Sequence, residues 1–150
     1  MRSSGTISAS EIIGAGINLN GVGSHGRTLL MAAAREGMHE AVGALVELGA
    51  SVNAVGTHGL TALHEAAAEG HTATTLRLLE LGAAVDAKTD YGGTPLMCAA
   101  AWGHVEVAKL LLNHGADCKL TDHRGGSAAD IAGEKGEQAV VDFLNSQATS

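Results

Sequence analysis

Three features of this chain carry residue types that could do chemistry. Gly21-Val22-Gly23-Ser24-His25-Gly26 has the glycine spacing of a dinucleotide fingerprint, and Glu47 follows at about the distance of an acid that would hold a ribose. His64-Glu65 has the first two residues of a zinc-protease helix, in which histidine ligates the metal and glutamate acts as the base. Eight histidines and two cysteines, Cys98 and Cys118, add further donors. Each feature needs a scaffold. The fingerprint requires a buried strand before it and a βαβ unit around it. A zinc helix requires a second histidine four residues on, and any metal cluster must bring its ligands to about 2 Å from one ion.

The elements available to position these residues emerge when the chain is laid against itself at a spacing of 33 residues. Gly26, Gly59, Gly92 and Gly125 coincide, as do Gly16, Gly49, Gly82 and Gly115, and Gly37, Gly70, Gly103 and Gly136. Thr28, Thr61, Thr94 and Ser127 share a column, and Ala33, Ala66, Ala99 and Ala132 share another. The third unit shows what the columns do. Thr94 suits a helix N-cap and Pro95 the first helical position, where no amide partner is needed. Leu96, Ala99 and Ala100 follow at helical spacing, and Gly103 ends the helix. A second helix runs through Val105, Val107, Ala108, Leu111 and Leu112 to Gly115, and a turn-rich finger leads to Gly125. Two helices of this size cannot cover their own apolar face, so neighbouring units must stack into one continuous core.

This register disposes of the chemical readings. Gly26 belongs to a repeat column and needs no pyrophosphate to explain it. The residue four after His64 is Ala68, so the zinc-helix pair is incomplete. His25 and His58 share a fingertip column, and His71 and His104 share the start of the second helix. Equivalent positions in adjacent units stand roughly 10 Å apart, the spacing of packed helices, too far to ligate one ion. His25, His58 and His123 are expected to face solvent. The expectation is therefore no catalytic residue, no cofactor and no metal.

Composition points the same way. The 150 residues are 45% hydrophobic, enough for a buried core, and the net charge is -7 from 16 acids against 9 bases. A nucleic-acid ligand would require a basic stripe, which the sequence lacks. The longest apolar runs fall far short of the ~20 residues that span a bilayer. The start of the chain lacks the apolar stretch of a secretory signal, and two thiols suit a reducing compartment, so a cytoplasmic monomer is expected.

Thr61-Ala62-Leu63-His64-Glu65-Ala66-Ala67, Thr94-Pro95-Leu96-Met97-Cys98-Ala99-Ala100 and Gly115-Ala116-Asp117 resemble the ankyrin-repeat signature. The resemblance implies an all-α solenoid of stacked helix-turn-helix units with β-turn or hairpin fingers. One domain is expected over 1–150: a half-repeat cap at 6–22, repeats at about 23–55, 56–88 and 89–121, a C-terminal cap repeat at 122–146 and a loose tail at 147–150. The family's first-helix histidine survives only as His64, with Met31, Met97 and Asp130 in its column, which implies weaker or different bracing there. Gly133 replaces an alanine in the last unit. The resemblance also implies that His71 and His104 occupy a structural position of the family, and it places no nucleophile, base and orienter in convergence.

The resemblance also implies a function, that of a non-catalytic scaffold binding another protein through a concave groove of fingertips and first helices. The only tyrosine and the only tryptophan of the chain, Tyr91 and Trp102, both fall in groove columns of the third repeat, and these residue types are enriched at binding hot spots. Leu60 and Ala101 are expected beside them, with Ala68, as an apolar shelf. His58, Glu69, Asp90 and Arg124 are expected as a polar rim, facing a partner surface that is apolar with some basic character. Two other readings stay open: self-association through the incomplete N-terminal end around Ile12 and Ile13, and a targeting role for a larger multidomain protein.

Overall fold

The first helix of each repeat begins where a hydroxyl can satisfy an amide that the helix leaves unpaired. Thr28, Thr61, Thr94 and Ser127 each accept the backbone N–H three residues on, at 3.2–3.4 Å. The computed structural model describes residues 19–23 and 26–148. Among these are eight α-helices at a constant step of 33 residues. The first helices are α1 (Leu29–Arg35), α3 (Ala62–Glu69), α5 (Pro95–Ala101) and α7 (Ala128–Glu134). The second helices are α2 (His39–Glu47), α4 (Thr72–Glu80), α6 (Val105–Asn113) and α8 (Gln138–Ala148).

Each first helix packs on the first helix of the next repeat, and each second helix on the next second helix. The result is an all-α solenoid of two layers sharing one core. Slim side chains permit the close approach: Ala66, Ala67, Ala99 and Ala100 are fully buried between first helices, with Leu30, Leu63 and Leu96 beside them. Leu78, Val107, Leu111, Val140 and Leu144 fill the second layer.

Polar contacts repeat with the same step. The Nε2–H of His71 donates to the carbonyl of Arg35 at 2.9 Å, and that of His104 to Ala68 at 3.0 Å. These carbonyls end the preceding first helix, so each histidine joins two repeats, as expected of a structural residue. The approach depends on glycine: Gly70 has φ +74°, and a Cβ there would overlap the His104 ring. On the loop side the Asn20 side chain accepts the Ser51 amide at 2.7 Å, Asn53 accepts Ala84 at 2.8 Å, and Asp86 accepts Asp117 at 3.2 Å.

Of the two finger forms expected, the fingers are turns, and among the described residues the one bridge joins Thr121 and Ser127. Bracing in the last unit is of a different kind, as the substituted column implied, because the Asp130 carboxylate accepts the Ser127 amide at 3.0 Å and completes a capping box. One expectation changes: helix α8 continues through Ala148, so residues 147 and 148 are helical and not a loose tail. Apart from residues 19–22, the half-repeat cap lies outside the described residues, as do Ile12, Ile13, Ser24 and His25.

Two substitutions test this packing. The hydroxyl of Thr74 is buried without a hydrogen-bond partner, whereas its column holds the buried Val107 and Val140 in the next two repeats. Thr74→Val should raise stability by about 1 kcal/mol in urea unfolding, because it removes an unsatisfied group at constant shape. Gly133 sits in helix α7, and a Cβ there would meet only open space. Gly133→Ala should likewise add about 1 kcal/mol, measured as a higher melting temperature.

Candidate partner-binding site

The fingers are shaped by one column, occupied by Gly56, Thr89 and Asp122 in successive repeats. Thr89 Oγ1 accepts the amides of Tyr91 at 3.3 Å and Gly93 at 3.0 Å. Asp122 Oδ1 accepts those of Arg124 and Gly126, both at 2.9 Å. The Gly126 amide, more than any other group, holds the Asp122 carboxyl below its ordinary pKa. Gly56 has no side chain with which to do this. A Cβ there would overlap the Gly26 carbonyl and the Met31 methyl. The finger of the second repeat therefore turns differently, with His58 at φ +62°, the one non-glycine residue at positive φ among those described.

Neighbouring fingers are joined through their backbones. The amides of Thr57, Asp90 and His123 donate to the carbonyls of Gly26, His58 and Tyr91 at 2.9, 2.9 and 3.0 Å. This ladder sets the fingertip spacing and brings the His58 ring against Tyr91, with centroids 5.9 Å apart and planes tilted by 38°.

Tyr91 is 65% exposed and Trp102, at the end of α5, is 67% exposed. Neither ring is absorbed into the packing between repeats. Leu60, at the return of the finger to α3, is half-buried, as are Ala68 and Ala101 near the helix ends. Asp90 is exposed beside Tyr91. Glu69 faces Arg35 across the first two repeats at 3.7 Å, and Arg124 turns toward Glu134 of its own repeat at 3.8 Å. The structure thus joins His58, Asp90 and Tyr91 at the tips, while Glu69 and Arg124 are held by other partners.

One contact between repeats was missed by sequence reasoning. Glu65 is buried, and its carboxylate pairs with Arg27 of the preceding repeat. The available signal was that each residue is the one charge in its column: Arg27 aligns with Leu60, Gly93 and Gly126, and Glu65 with Ala32, Cys98 and Ile131. A buried carboxylate without its cation would be strongly destabilising. Burial, reinforced by the Glu65 charge, pushes the Cys98 thiol up to about 12, so it stays protonated and is a poor nucleophile or metal ligand.

His64 is buried and hydrogen bonded on both sides. Its Nδ1 accepts from the Thr61 amide at 3.1 Å and the Thr61 hydroxyl at 2.8 Å, and its Nε2–H donates to the Gly93 carbonyl at 3.0 Å, which holds the third finger. This is the bracing expected of His64, and it leaves neither nitrogen for a metal. The two-residue likeness to a zinc-protease helix ends there. Leu19 and Asn20 form a turn ahead of Gly21, where a dinucleotide site would require a strand. A depression of about 430 Å³ at the last finger, lined by Asp122, Asp130, Glu134 and Arg124 among others, is open to solvent, and neither Tyr91 nor Trp102 lines it.

Burial lowers the pKa of His64 below 6.5, its ordinary value. The unfolded chain then binds the proton more readily than the folded one, so the stabilisation is complete above pH 6.5 and is lost as the pH falls from there through the lowered folded value. Urea unfolding from pH 7.5 to 4.5 should show stability falling more steeply in the native protein than in His64→Gln, whatever their difference at neutral pH.

No helix among the described residues is long and apolar enough to cross a membrane. Comparison with curated proteins yields no match. The family model for ankyrin repeats, built as three copies, matches residues 4–89, 30–122 and 78–149, and so covers nearly the whole chain. Ankyrin repeats are generally protein–protein interaction modules and typically non-catalytic. From the 33-residue register, the stacked helix pairs and this match, the chain belongs to the ankyrin-repeat family.

Proposed function

We propose that this chain is a non-catalytic scaffold that acts as a monomer and binds a partner protein through the concave face of its second and third repeats. The carrying observation is the exposure of Tyr91 and Trp102, at 65% and 67%, in a chain with so few aromatic side chains. Large aromatics left in solvent are anchors waiting for a surface that will desolvate them. Half-buried Leu60, Ala68 and Ala101 offer an apolar shelf, with His58, Asp90, Glu69 and Arg124 as the rim. The net charge of -7 favours encounter with a partner of some basic character.

The test is affinity enrichment from a native lysate with the wild-type protein and with Tyr91→Ala, Trp102→Ala, followed by titration of the captured partner. Because both rings are exposed, the double variant should melt close to the native temperature. It should lose at least about thirtyfold in affinity, the size of one hot spot. Unchanged binding would overturn the groove assignment and redirect attention to the second-helix face or to the N-terminal end.

A further inference from the structure

The tips of the second and third fingers carry more than an aromatic ring. His58 is held at positive φ, a conformation that a non-glycine residue adopts at some cost, and its carbonyl accepts the Asp90 amide while its ring lies against Tyr91. Asp90 precedes Tyr91 at the exposed tip, its Oδ1 lies on the side of Gly59 in the second finger, and its carboxylate forms no ion pair among the described residues. The chain's own nearby cations do not satisfy it. Arg124 pairs with Glu134, and Lys88 forms no ion pair with Asp90. By contrast, Glu65 and Glu69 in the adjoining part of the face already have arginine partners.

An exposed aromatic ring and an unpaired carboxylate carried by neighbouring residues of one fingertip are the chemistry that receives a cation: the ring quadrupole attracts the charge and the carboxylate hydrogen bonds to it. Arginine suits this pair better than lysine, because a planar guanidinium can stack on the ring while its edge reaches the carboxylate. Leu60 and Ala101 of the same two repeats are half-buried apolar residues, which favours apolar neighbours for the cation in the partner's sequence. Resting on the groove reading above, we infer that the partner inserts an arginine flanked by apolar side chains at Asp90 and Tyr91, and that His58 positions the tyrosine to receive it.

The probe is acetyl-Gly-Leu-Arg-Leu-Gly-amide, compared with the same peptide carrying citrulline, which keeps the shape and removes the charge. Backbone amide NMR shifts of the whole protein are followed as each is titrated to millimolar concentration. The arginine peptide should shift the Asp90 and Tyr91 amides saturably, about tenfold more tightly than the citrulline peptide, and lose strength as salt is raised. Asp90→Asn should bring the two peptides to similar affinity, and His58→Gly should weaken the arginine peptide while leaving Trp102 shifts in place. If both peptides shift Tyr91 and Trp102 equally, the groove reading stands and the arginine inference falls. If neither shifts either residue, both are overturned.

Discussion

Everything in this structure depends on how closely one first helix can approach the next. Leucine in place of Ala66, Ala67, Ala99 or Ala100 would hold the layers apart, and His71 and His104 could no longer reach the carbonyls near the ends of the preceding first helices. The finger ladder is set by the same spacing, since the amides of Asp90 and His123 reach the preceding finger only at this rise. Burial and hydrogen bonding are therefore not separate supports. The hydrophobic contact fixes a distance, and the polar contacts are those that this distance permits.

The contacts between repeats differ in kind along the stack. The first two repeats are tied by the Arg27–Glu65 pair and by Arg35–Glu69. The second and third are joined through His104 and through the reach of His64 to Gly93. At the last junction Glu137 takes the place of the histidine, and Gly103 lies against its carboxylate. The first junction thus adds ion pairs to the imidazole bond from His71 that it shares in kind with the second, and the last has a carboxylate in the histidine column. Stability in such arrays is a sum of neighbour terms, so these junctions need not respond alike to salt or acid.

The fold was legible in the sequence because a repeated column is stronger evidence than any local propensity. Gly103 alone is a weak helix stop, but together with Gly37, Gly70 and Gly136 it marks one turn four times over. The candidate site was legible to the level of which residues face outward, since register combined with the ankyrin resemblance put Tyr91 and Trp102 at exposed positions, where the structure has them. What register could not supply was the contact between unlike positions. Arg27 and Glu65 belong to different columns of different repeats, and the left-handed turn at His58 follows from a glycine two residues earlier. Periodicity describes what the repeats share, and these features arise from what they do not.

The crowding at Gly56 has a consequence for how separable the units are. The Met31 side chain and the Gly26 carbonyl, both from the first repeat, occupy the space that a side chain at position 56 would need. The shape of the second finger, and through His58 the posture of Tyr91 in the third, is thus inherited from residues that touch neither tip. The repeats cannot be exchanged as interchangeable blocks. Transplanted behind a different first unit, the second repeat would keep its helices and lose its fingertip, so the proposed recognition surface belongs to an ordered sequence of neighbours rather than to the repeat that displays it.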